Sequence, residues 1–229
     1  VHRVYPTQAL EAFLEGHIDA FEELGGVPVR QIKYDNLSPA VTQVLAGRAR
    51  VETTRWALFR SHYGFDAFYC EPGINGAHEK GGIEGEVGRF RRTWLSPMPV
   101  VDTLAELNGK IRDWDQRDEN RRIGQEITTV AHDYAVDQEH LAALPRDRFD
   151  PGLELYPRVD RSGLVTVRQA KYSVPVRFIG RKLRVSLRAS ELVVFDGRTV
   201  VARHERVIER YGQAVQLDHY LEVLQHKPG

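Results

Sequence analysis

The first two-thirds of the chain alternate between apolar residues at helical spacing and short apolar runs. Apolar residues from Leu10 to Leu24 lie three or four positions apart, which predicts an amphipathic helix over about 8–24. Thr7 before it and Gly25 after it are residue types that begin and end helices. The same spacing predicts further helices from Ile83 to Trp94, from Leu104 to Trp114 behind an Asp102 cap, and between about 126 and 143.

Two short runs between these helices favour strands. One, VRQIKYD, follows Pro28 and ends at the turn-forming pair Asp35-Asn36; the other is FDAFYC over 65–70. Ser38 is a residue type that caps helices, so we expect a short helix through about Ala46. The first 145 residues are therefore predicted to be mixed α/β.

From Leu155 the hydrophobic period changes to two. The β-rich runs are LVTVRQAKYSVPV, KLRVSLR, LVVFDG and TVVARHERV, and Asp196-Gly197 is a hairpin turn signal between two of them. Four or five short strands in about 60 residues are typical of a small barrel. The predicted organisation is an α/β domain (1–145), a linker (146–152), a small all-β barrel (153–212) and a helical tail (213–229).

The composition is that of an ordinary globular protein. Of 229 residues, 41% are hydrophobic and 28% are charged, which excludes a disordered or fibrous chain. The chain contains no run of about 20 apolar residues and no signal-peptide pattern at its start, so we expect no membrane contact and a cytoplasmic location. The single cysteine, Cys70, excludes an internal disulfide.

The net charge of zero hides an asymmetry along the chain. Residues 1–150 hold 18 Lys and Arg against 24 Asp and Glu, a net of −6, whereas residues 151–229 hold 14 against 8, a net of +6. Residues 161–190 contain eight basic side chains and no acid. This distribution indicates either a polyanion-binding module or a solvated basic face. The candidate DNA-binding residues in this stretch are Lys171, Arg177, Arg181, Lys182, Arg184 and Arg188.

Two carboxylates have positions that suit metal-dependent chemistry. Asp35 ends a predicted strand, and Glu84 lies on the predicted helix beside Ile83 and Val87. Carboxylate oxygens bind Mg²⁺, and two such ions activate the attacking oxygen and stabilise the leaving oxygen of a phosphodiester. Taken alone, the pattern favours simpler roles: an Asx turn or helix cap for Asp35 and a solvated helix position for Glu84.

Three strings resemble the catalytic domain of the IstA-type transposases of bacterial insertion sequences. They are YDNLSPAV (34–41), RVETTRWALFRSHYGFDAFYCEPG (50–73) and GAHEKGGIEGEVGRFRR (76–92). The run KYSVPVRFIGRKLRVSLRASELVVFDGRTVVARHER (171–206) resembles the small β-domain that follows in that family and in Mu-type transposases. The ending HYLEVLQHKPG (219–229) is also similar to the family's, so the resemblance covers essentially the whole chain.

The resemblance implies a retroviral-integrase-like, RNase H-like catalytic domain and an SH3-like barrel. It implies an Asp-Asp-Glu triad that binds Mg²⁺ or Mn²⁺, with Asp35 at the second position and Glu84, in the KGxxE pattern, at the third. The implied reaction is cleavage of DNA and transfer of the freed strand. Basic residues flanking the active-site helix are candidates for phosphate contacts: Lys80, Arg89, Arg91 and Arg92. For Arg91 and Arg92, a solvated charge run is an equal alternative.

The sequence departs from the family pattern at its start. The family's first catalytic Asp lies on a strand ahead of the first helix, but here VHRVYP directly precedes that helix, and Asp19 lies within it. We therefore expect a fragment that lacks the first strands and is inactive alone. The expected partners are transposon-end and target DNA, other transposase subunits and an AAA+ helper ATPase, in a bacterial, nucleoid-associated setting. The alternative is an inactive remnant that only binds DNA or transposase subunits.

Overall fold

The computed structural model of the chain describes residues 1–34, 40–44, 50–70 and 85–222. Two compact units are present. Unit 1 comprises Val1–Val4 and Gly16–Phe149, and unit 2 comprises Tyr5–Glu15 and Asp150–Gly229. No described helix is long and apolar enough to cross a membrane. The domain boundaries expected from the sequence stay a prediction.

Five helices lie in the described part of the first 149 residues. They are α1 (Leu10–Leu24), α2 (Thr54–Tyr63), α3 (85–94), α4 (Leu104–Asp118) and α5 (Val130–Gln138). Helices α1, α4 and α5 are confirmed predictions, and α3 matches the described part of the helix expected from Ile83. The cap of α4 is Thr103 instead of Asp102, because the Thr103 hydroxyl accepts a hydrogen bond from the Glu106 N–H at 3.1 Å.

Unit 1 contains three small two-stranded sheets. Its strands are β1 (Val27–Pro28), β2 (Gln31–Tyr34), β3 (Val41–Val44), β4 (Arg50–Glu52), β5 (Asp66–Tyr69) and β6 (Leu141–Ala142). Strand β1 pairs with β6, β2 with β5 and β3 with β4; the β2–β5 pair is parallel and places Tyr34 beside Tyr69. The helix expected over 38–46 is wrong, because β3 forms an antiparallel pair with β4. β-branched residues at three of the four β3 positions, 41, 42 and 44, favour this extended state.

Aromatic side chains form the core of unit 1 around α2. Trp56 and Phe59 are fully buried, and their rings stack at 5.6 Å. The Trp56 indole N–H donates to the Tyr69 hydroxyl at 2.8 Å, and that hydroxyl donates to Glu52 at 2.6 Å. Arg60 pairs with the other oxygen of Glu52 at 2.7 Å. Helix α2 is thus anchored to the end of β5 by both apolar burial and a connected polar chain.

Unit 2 is built mainly from two sheets. Its strands are β7 (Leu153–Leu155), β8 (Leu164–Val167), β9 (Ala170–Ser173), β10 (Arg184–Leu187), β11 (Glu191–Asp196), β12 (Thr199–Glu205) and β13 (Gln213–Ala214). One antiparallel sheet has the order β12-β11-β10-β7, and the other has the order β13-β9-β8, with β13 parallel to β9. The β11–β12 turn contains Asp196-Gly197 as predicted, with Gly197 at φ 61°.

The two sheets share one apolar core. Val165, Tyr172, Val185 and Leu192 belong to it, and each is at most 1% exposed. The described strands do not close into one barrel but hydrogen-bond as two separate sheets, and an isolated bridge between Arg158 and Lys182 extends the β7–β10 pairing within the larger sheet. Each sheet contributes its apolar face, and the shared core links the two.

The helical tail expected over 213–229 begins later in the described part of the chain. Strand β13 comes first, a 3₁₀ turn over Leu217–Tyr220 and helical residues 221–222 follow, and the rest of the expected tail lies outside the described residues. The Ser173 hydroxyl fixes this turn, because it accepts from the Gln216 N–H at 2.9 Å and lies 2.8 Å from His219 Nδ1. The segment is thereby tied to β9.

Two buried histidines meet beneath this turn. The His204 Nε2–H donates to the Ser173 carbonyl at 2.6 Å, and the His204 and His219 rings lie 5.6 Å apart. Burial lowers the pKa of His204 below its usual value. Burial and the neighbouring His204 lower the pKa of His219, and Asp218 opposes them. Both rings are therefore held neutral in the folded unit.

We expect unit 2 to lose stability as the pH falls below about 6.5, the unfolded histidine pKa. The unfolded chain then binds protons that the folded unit excludes, so the free energy of unfolding decreases with acidity. His204→Gln and His219→Gln should each flatten this dependence in urea titrations followed by the NMR signals of β8–β12. The control His140→Gln changes an exposed histidine of unit 1 and should leave it unchanged. Equal pH slopes in all four proteins would contradict this account.

Candidate nucleic-acid interface

The two candidate catalytic carboxylates lie outside the described residues. These carboxylates are Asp35 and Glu84, and the candidate phosphate contact Lys80 also lies outside the described residues. Among the residues that the structure describes, no group of three or more His, Cys, Asp or Glu side chains could hold a metal ion. The metal assignment of Asp35 and Glu84 therefore stays a prediction.

The strand that leads to Asp35 is firmly held. Tyr34, the residue before Asp35, ends β2 and is 6% exposed; its hydroxyl lies 2.8 Å from His17 Nε2. Burial, followed by the nearby Tyr69, raises the pKa of Tyr34 above its usual value, so this hydroxyl stays protonated. The carboxyl ends of parallel strands are where ligand sites form in α/β sheets. The structure thus fixes the backbone immediately before the candidate carboxylate.

Arg89 on α3 is committed to neighbouring carboxylates. It pairs with Asp118 and, at 2.5 Å, with Glu86, which also pairs with Arg121 at 3.0 Å. The hydrogen bonds that Arg89 donates, first to Glu86 and then to Asp118, raise its pKa above the usual value. Arg89 is therefore a cross-link from α3 to α4, and a phosphate would have to displace two acids to reach it.

The buried and exposed positions on the rest of α3 differ from those predicted from the sequence. Val87 was expected on the apolar stripe, but it is 43% exposed. Phe90 is buried and stacks on the His2 ring at 3.7 Å. Arg91 and Arg92 are exposed, and neither forms an ion pair within the described ranges. These two remain available as phosphate contacts.

In unit 2, acids from outside the acid-free stretch 161–190 come to its arginines. Arg177 pairs with Glu222, Arg181 with Asp196 at 2.8 Å, Arg184 with Glu154 at 3.9 Å, and Arg188 with Asp150 at 3.1 Å and with Glu191. Four of the six candidate DNA-binding residues thus have carboxylate partners. The basic face is partly neutralised, which a count along the sequence could not show.

Asp150 holds the beginning of the Asp150–Gly229 segment of unit 2 to the larger sheet. Asp150 accepts from Arg188 at 3.1 Å, from the Gly152 N–H at 3.0 Å and from the Ser186 hydroxyl at 3.1 Å. Burial would raise the pKa of Asp150, but these three donors hold it below its usual value. A Cβ at position 152 would lie 1.9 Å from the Ser186 oxygen, so only glycine permits this approach. Arg188 is therefore a structural residue.

Arg184 lies over an aromatic ring on the neighbouring inner strand of the same sheet. Its guanidinium carbon is 3.9 Å from the centroid of Phe195, the residue directly across from it on β11. Cation–π attraction and the shared burial orient the side chain without removing its charge. Phe195 was not predicted as a functional residue. The available signal was the alternation along LVVFDG, which places Phe195 on the face opposite Val194.

Four candidates keep their charge accessible. Lys171 and Lys182 are exposed and have no ion pair among the described residues. Arg177 and Arg181 are 56% and 54% exposed, and their single-carboxylate pairs are of the weak surface kind. Lys182 follows Arg181 directly, and its backbone forms an isolated β-bridge with Arg158. Arg158 is another exposed arginine, and it was not among the predicted candidates. The accessible positive charge thus concentrates around residues 177–182.

Comparison with known proteins adds a family to this geometry. Residues 144–216 match the family described as Mu transposase, C-terminal domain. This match includes all strands of unit 2 and the six candidate DNA-binding residues of the 161–190 stretch.

Relatives match over nearly the whole chain. They include a transposase of Aminobacter aminovorans (33% identity, 99% of this chain, 45% of the relative) and a transposase for insertion sequences IS1326/IS1353 of Pseudomonas aeruginosa (35%, 100% and 46%). A transposase for insertion sequence element IS21 of Pseudomonas aeruginosa is 27% identical over 96% of this chain and 56% of its own length. The chain spans about half the length of these relatives. The resemblance is thereby confirmed: the chain is a relative of the transposases of bacterial insertion sequences.

Proposed function

We propose that this chain is part of a DNA transposase in which unit 2 holds the DNA backbone and unit 1 contributes to the catalytic centre. The observation that carries the proposal is the match to insertion-sequence transposases along the whole chain. The accessible cations of unit 2 support it, because a transposase must hold a polyanion. An RNase H-like arrangement of unit 1 and an SH3-like arrangement of unit 2 belong to this proposal.

The catalytic part of the proposal rests on Asp35 and Glu84. Both supply carboxylate oxygens, the donor type that Mg²⁺ and Mn²⁺ take in proteins. The ordered end of β2 supports Asp35, since a metal ligand needs a backbone that does not move. A bound divalent ion would activate the attacking oxygen and stabilise the leaving oxygen of a phosphodiester. The chain's own part is to hold the two carboxylates and to bring DNA to them.

DNA contact is proposed for the exposed cations and not for the cross-linking ones. Lys171, Lys182, Arg177 and Arg181 can reach phosphates at little cost, since exposed ion pairs contribute about 0–1 kcal/mol. Arg89 and Arg188 would each have to give up contacts to two carboxylates. Phosphate contacts carry no sequence information directly, so this surface would position DNA without selecting a sequence.

Assembly with other chains completes the proposal. Self-association with further transposase subunits and collaboration with an AAA+ helper ATPase are implied by the family resemblance. The chain has no GxxxxGK[ST] phosphate loop, so nucleotide hydrolysis would come from that helper.

We expect the full chain to bind duplex DNA with a log–log salt slope of about −2 to −4, because two to four phosphate contacts each release counterion at about 0.9 per contact. Lys171→Ala and Lys182→Ala should each flatten the slope by about 0.9. The measurement is a fluorescence-anisotropy titration at several salt concentrations.

The matched control removes a lysine from unit 1. Lys110→Ala breaks an exposed pair with Glu106 on α4 and should leave the slope unchanged. A slope that neither lysine change in unit 2 alters would assign the basic face to solvation and contradict the proposed DNA contact.

We expect these 229 residues alone not to cleave or join DNA with Mg²⁺ or Mn²⁺, because they supply two of the family's three carboxylates. The measurement is strand transfer of a labelled, pre-cut transposon end into plasmid DNA. Strand transfer that Asp35→Asn abolishes would show that the account of the triad is wrong. Inactivity combined with salt-dependent DNA binding is the expected result, and it is also the behaviour of a remnant that only binds DNA.

A further inference from the structure

A cavity of about 570 Å³ lies in unit 2, away from the accessible cations around 177–182. Its walls come from the β8–β9 turn, the loop after β12 and residues Pro6 and Thr7, which belong to the same unit. Val167, Tyr172 and Leu187 give it apolar surface. The volume is within the range of pockets that hold small organic groups. No role proposed so far uses this cavity.

Two residues beside the cavity have backbone conformations that side chains disfavour. Arg168 has φ 52° at the first position of the two-residue β8–β9 turn, and Tyr211 has φ 62° in the loop after β12. They are the described non-glycine residues with positive φ. They lie in adjoining segments, because the Tyr211 N–H donates to the Gln169 carbonyl at 2.8 Å. Such conformations gather at ligand sites, where the surrounding structure maintains them.

The loop after β12 is closed on itself and on β9. The Gly212 N–H donates to the Glu209 carbonyl at 3.2 Å, and the Lys171 N–H donates to the Gly212 carbonyl at 3.0 Å. A Cβ at Gly212 would lie 2.5 Å from Val207, so this close turn requires glycine. The loop therefore presents Tyr211 and Arg210 from a fixed backbone.

The charges around the cavity are divided between its base and its rim. Arg206 is buried and pairs with Glu11 at 3.0 Å, and Glu11 is itself 4% exposed. Arg168 at the rim lies 3.7 Å from the same carboxylate but is largely exposed. Arg210 is exposed and has no ion pair among the described residues. The rim thus offers two guanidinium groups and the exposed carboxylate of Glu209, while a further acid, Glu11, lies buried beneath.

The same loop presents an exposed aromatic side chain, Tyr211, directly after Arg210 in the chain. Tyr211 is 76% exposed, and neighbouring Ile208, which lines the cavity, is 69% exposed. A solvent-exposed tyrosine beside arginines is the combination that stacks an unpaired base and binds its phosphates. A base paired in a duplex has no free face for such a ring, so the preferred ligand is single-stranded.

We propose that this corner of unit 2, formed by Arg168, Arg210, Tyr211 and the adjoining cavity, binds an unpaired nucleotide of a DNA strand. The Tyr211 ring stacks on the base, and the two rim arginines contact the flanking phosphates. The proposal rests on the proposed DNA-binding function and adds a second, strand-selective contact to the duplex surface around 177–182.

The test uses the full chain and an oligothymidylate of about 12 nucleotides with one central 2-aminopurine, a length within the site size of single-strand-binding units. The same sequence as a duplex is the comparison. Stacking on Tyr211 should quench the 2-aminopurine fluorescence of the single strand. Tyr211→Ser should weaken single-strand binding about tenfold, whereas Tyr211→Phe, which retains the ring, should bind normally. Arg210→Ala should flatten the single-strand salt slope by about 0.7.

The matched control is Arg161→Ala, which removes an exposed arginine of unit 2 that does not line the cavity. It should leave quenching unchanged. Duplex binding without single-strand quenching, or unchanged affinity in Tyr211→Ser, would overturn this inference and leave the duplex surface intact. Absence of both duplex and single-strand binding would overturn the proposed function as well. If Tyr211→Ser fails to fold, two measurements still test the inference: 2-aminopurine quenching by the unmodified chain and the salt slope of Arg210→Ala.

Discussion

The arrangement of unit 2 depends on carboxylates that reach the arginines of an acid-free stretch from distant parts of the sequence. Asp150 fastens Arg188 and Ser186, and Glu11 buries Arg206 beneath the cavity. The side chains of Glu11 and Arg206 are 4% and 9% exposed, so removing one of them leaves a desolvated charge, which costs far more than an exposed pair contributes. This buried pair and the hydrogen bonds of Asp150 therefore hold the unit together, and the remaining exposed cations are those that a polyanion can use.

This division also separates two kinds of arginine that look alike in the sequence. Arg188 lies in a network with two carboxylates and is 23% exposed, whereas Arg181 has one carboxylate partner and is 54% exposed. Phosphate competes easily with a single exposed carboxylate, but it cannot replace the geometry of the Asp150 network. The same argument sets Arg89 in unit 1 apart from Arg91 and Arg92. The number of carboxylate partners and the burial of the arginine itself, more than basic charge, decide which residues are candidates for DNA contact.

Local patterns in the sequence predicted the elements whose stability is local. Helices α1, α4 and α5 and strands β8 to β12 follow from apolar period and turn residues. Segment 38–46 failed because β3 depends on pairing with β4, a contact that helix propensity does not contain. Helix α2 was missed although Trp56, Phe59 and Tyr63 are spaced for one face. Barrel closure could not be predicted, because it depends on hydrogen bonds between strands far apart in sequence.

The candidate site divides in the same way. Residue types and spacing identified the basic residues, but their carboxylate partners lie up to 195 positions away, as with Arg206 and Glu11. Phe195 and Tyr211 become candidates for a functional role only because the fold places arginines close to them. Asp35 and Glu84 were identified through family strings and lie outside the described residues, so their assignment rests on that resemblance and on the ordered end of β2.

The central claim is that carboxylate pairing controls which cations of unit 2 reach DNA. Asp196→Asn tests it most directly, because it frees Arg181 and leaves every cation in place. Because Arg181 exchanges this weak exposed pair for a phosphate, the account predicts duplex binding tighter by up to about fivefold, which is the about 0–1 kcal/mol that such a pair contributes, at an unchanged salt slope. The control Glu205→Gln removes an exposed acid of β12 that has no ion pair among the described residues, and it should alter the affinity less. Unchanged affinity in Asp196→Asn, or equal changes in both variants, would contradict the claim.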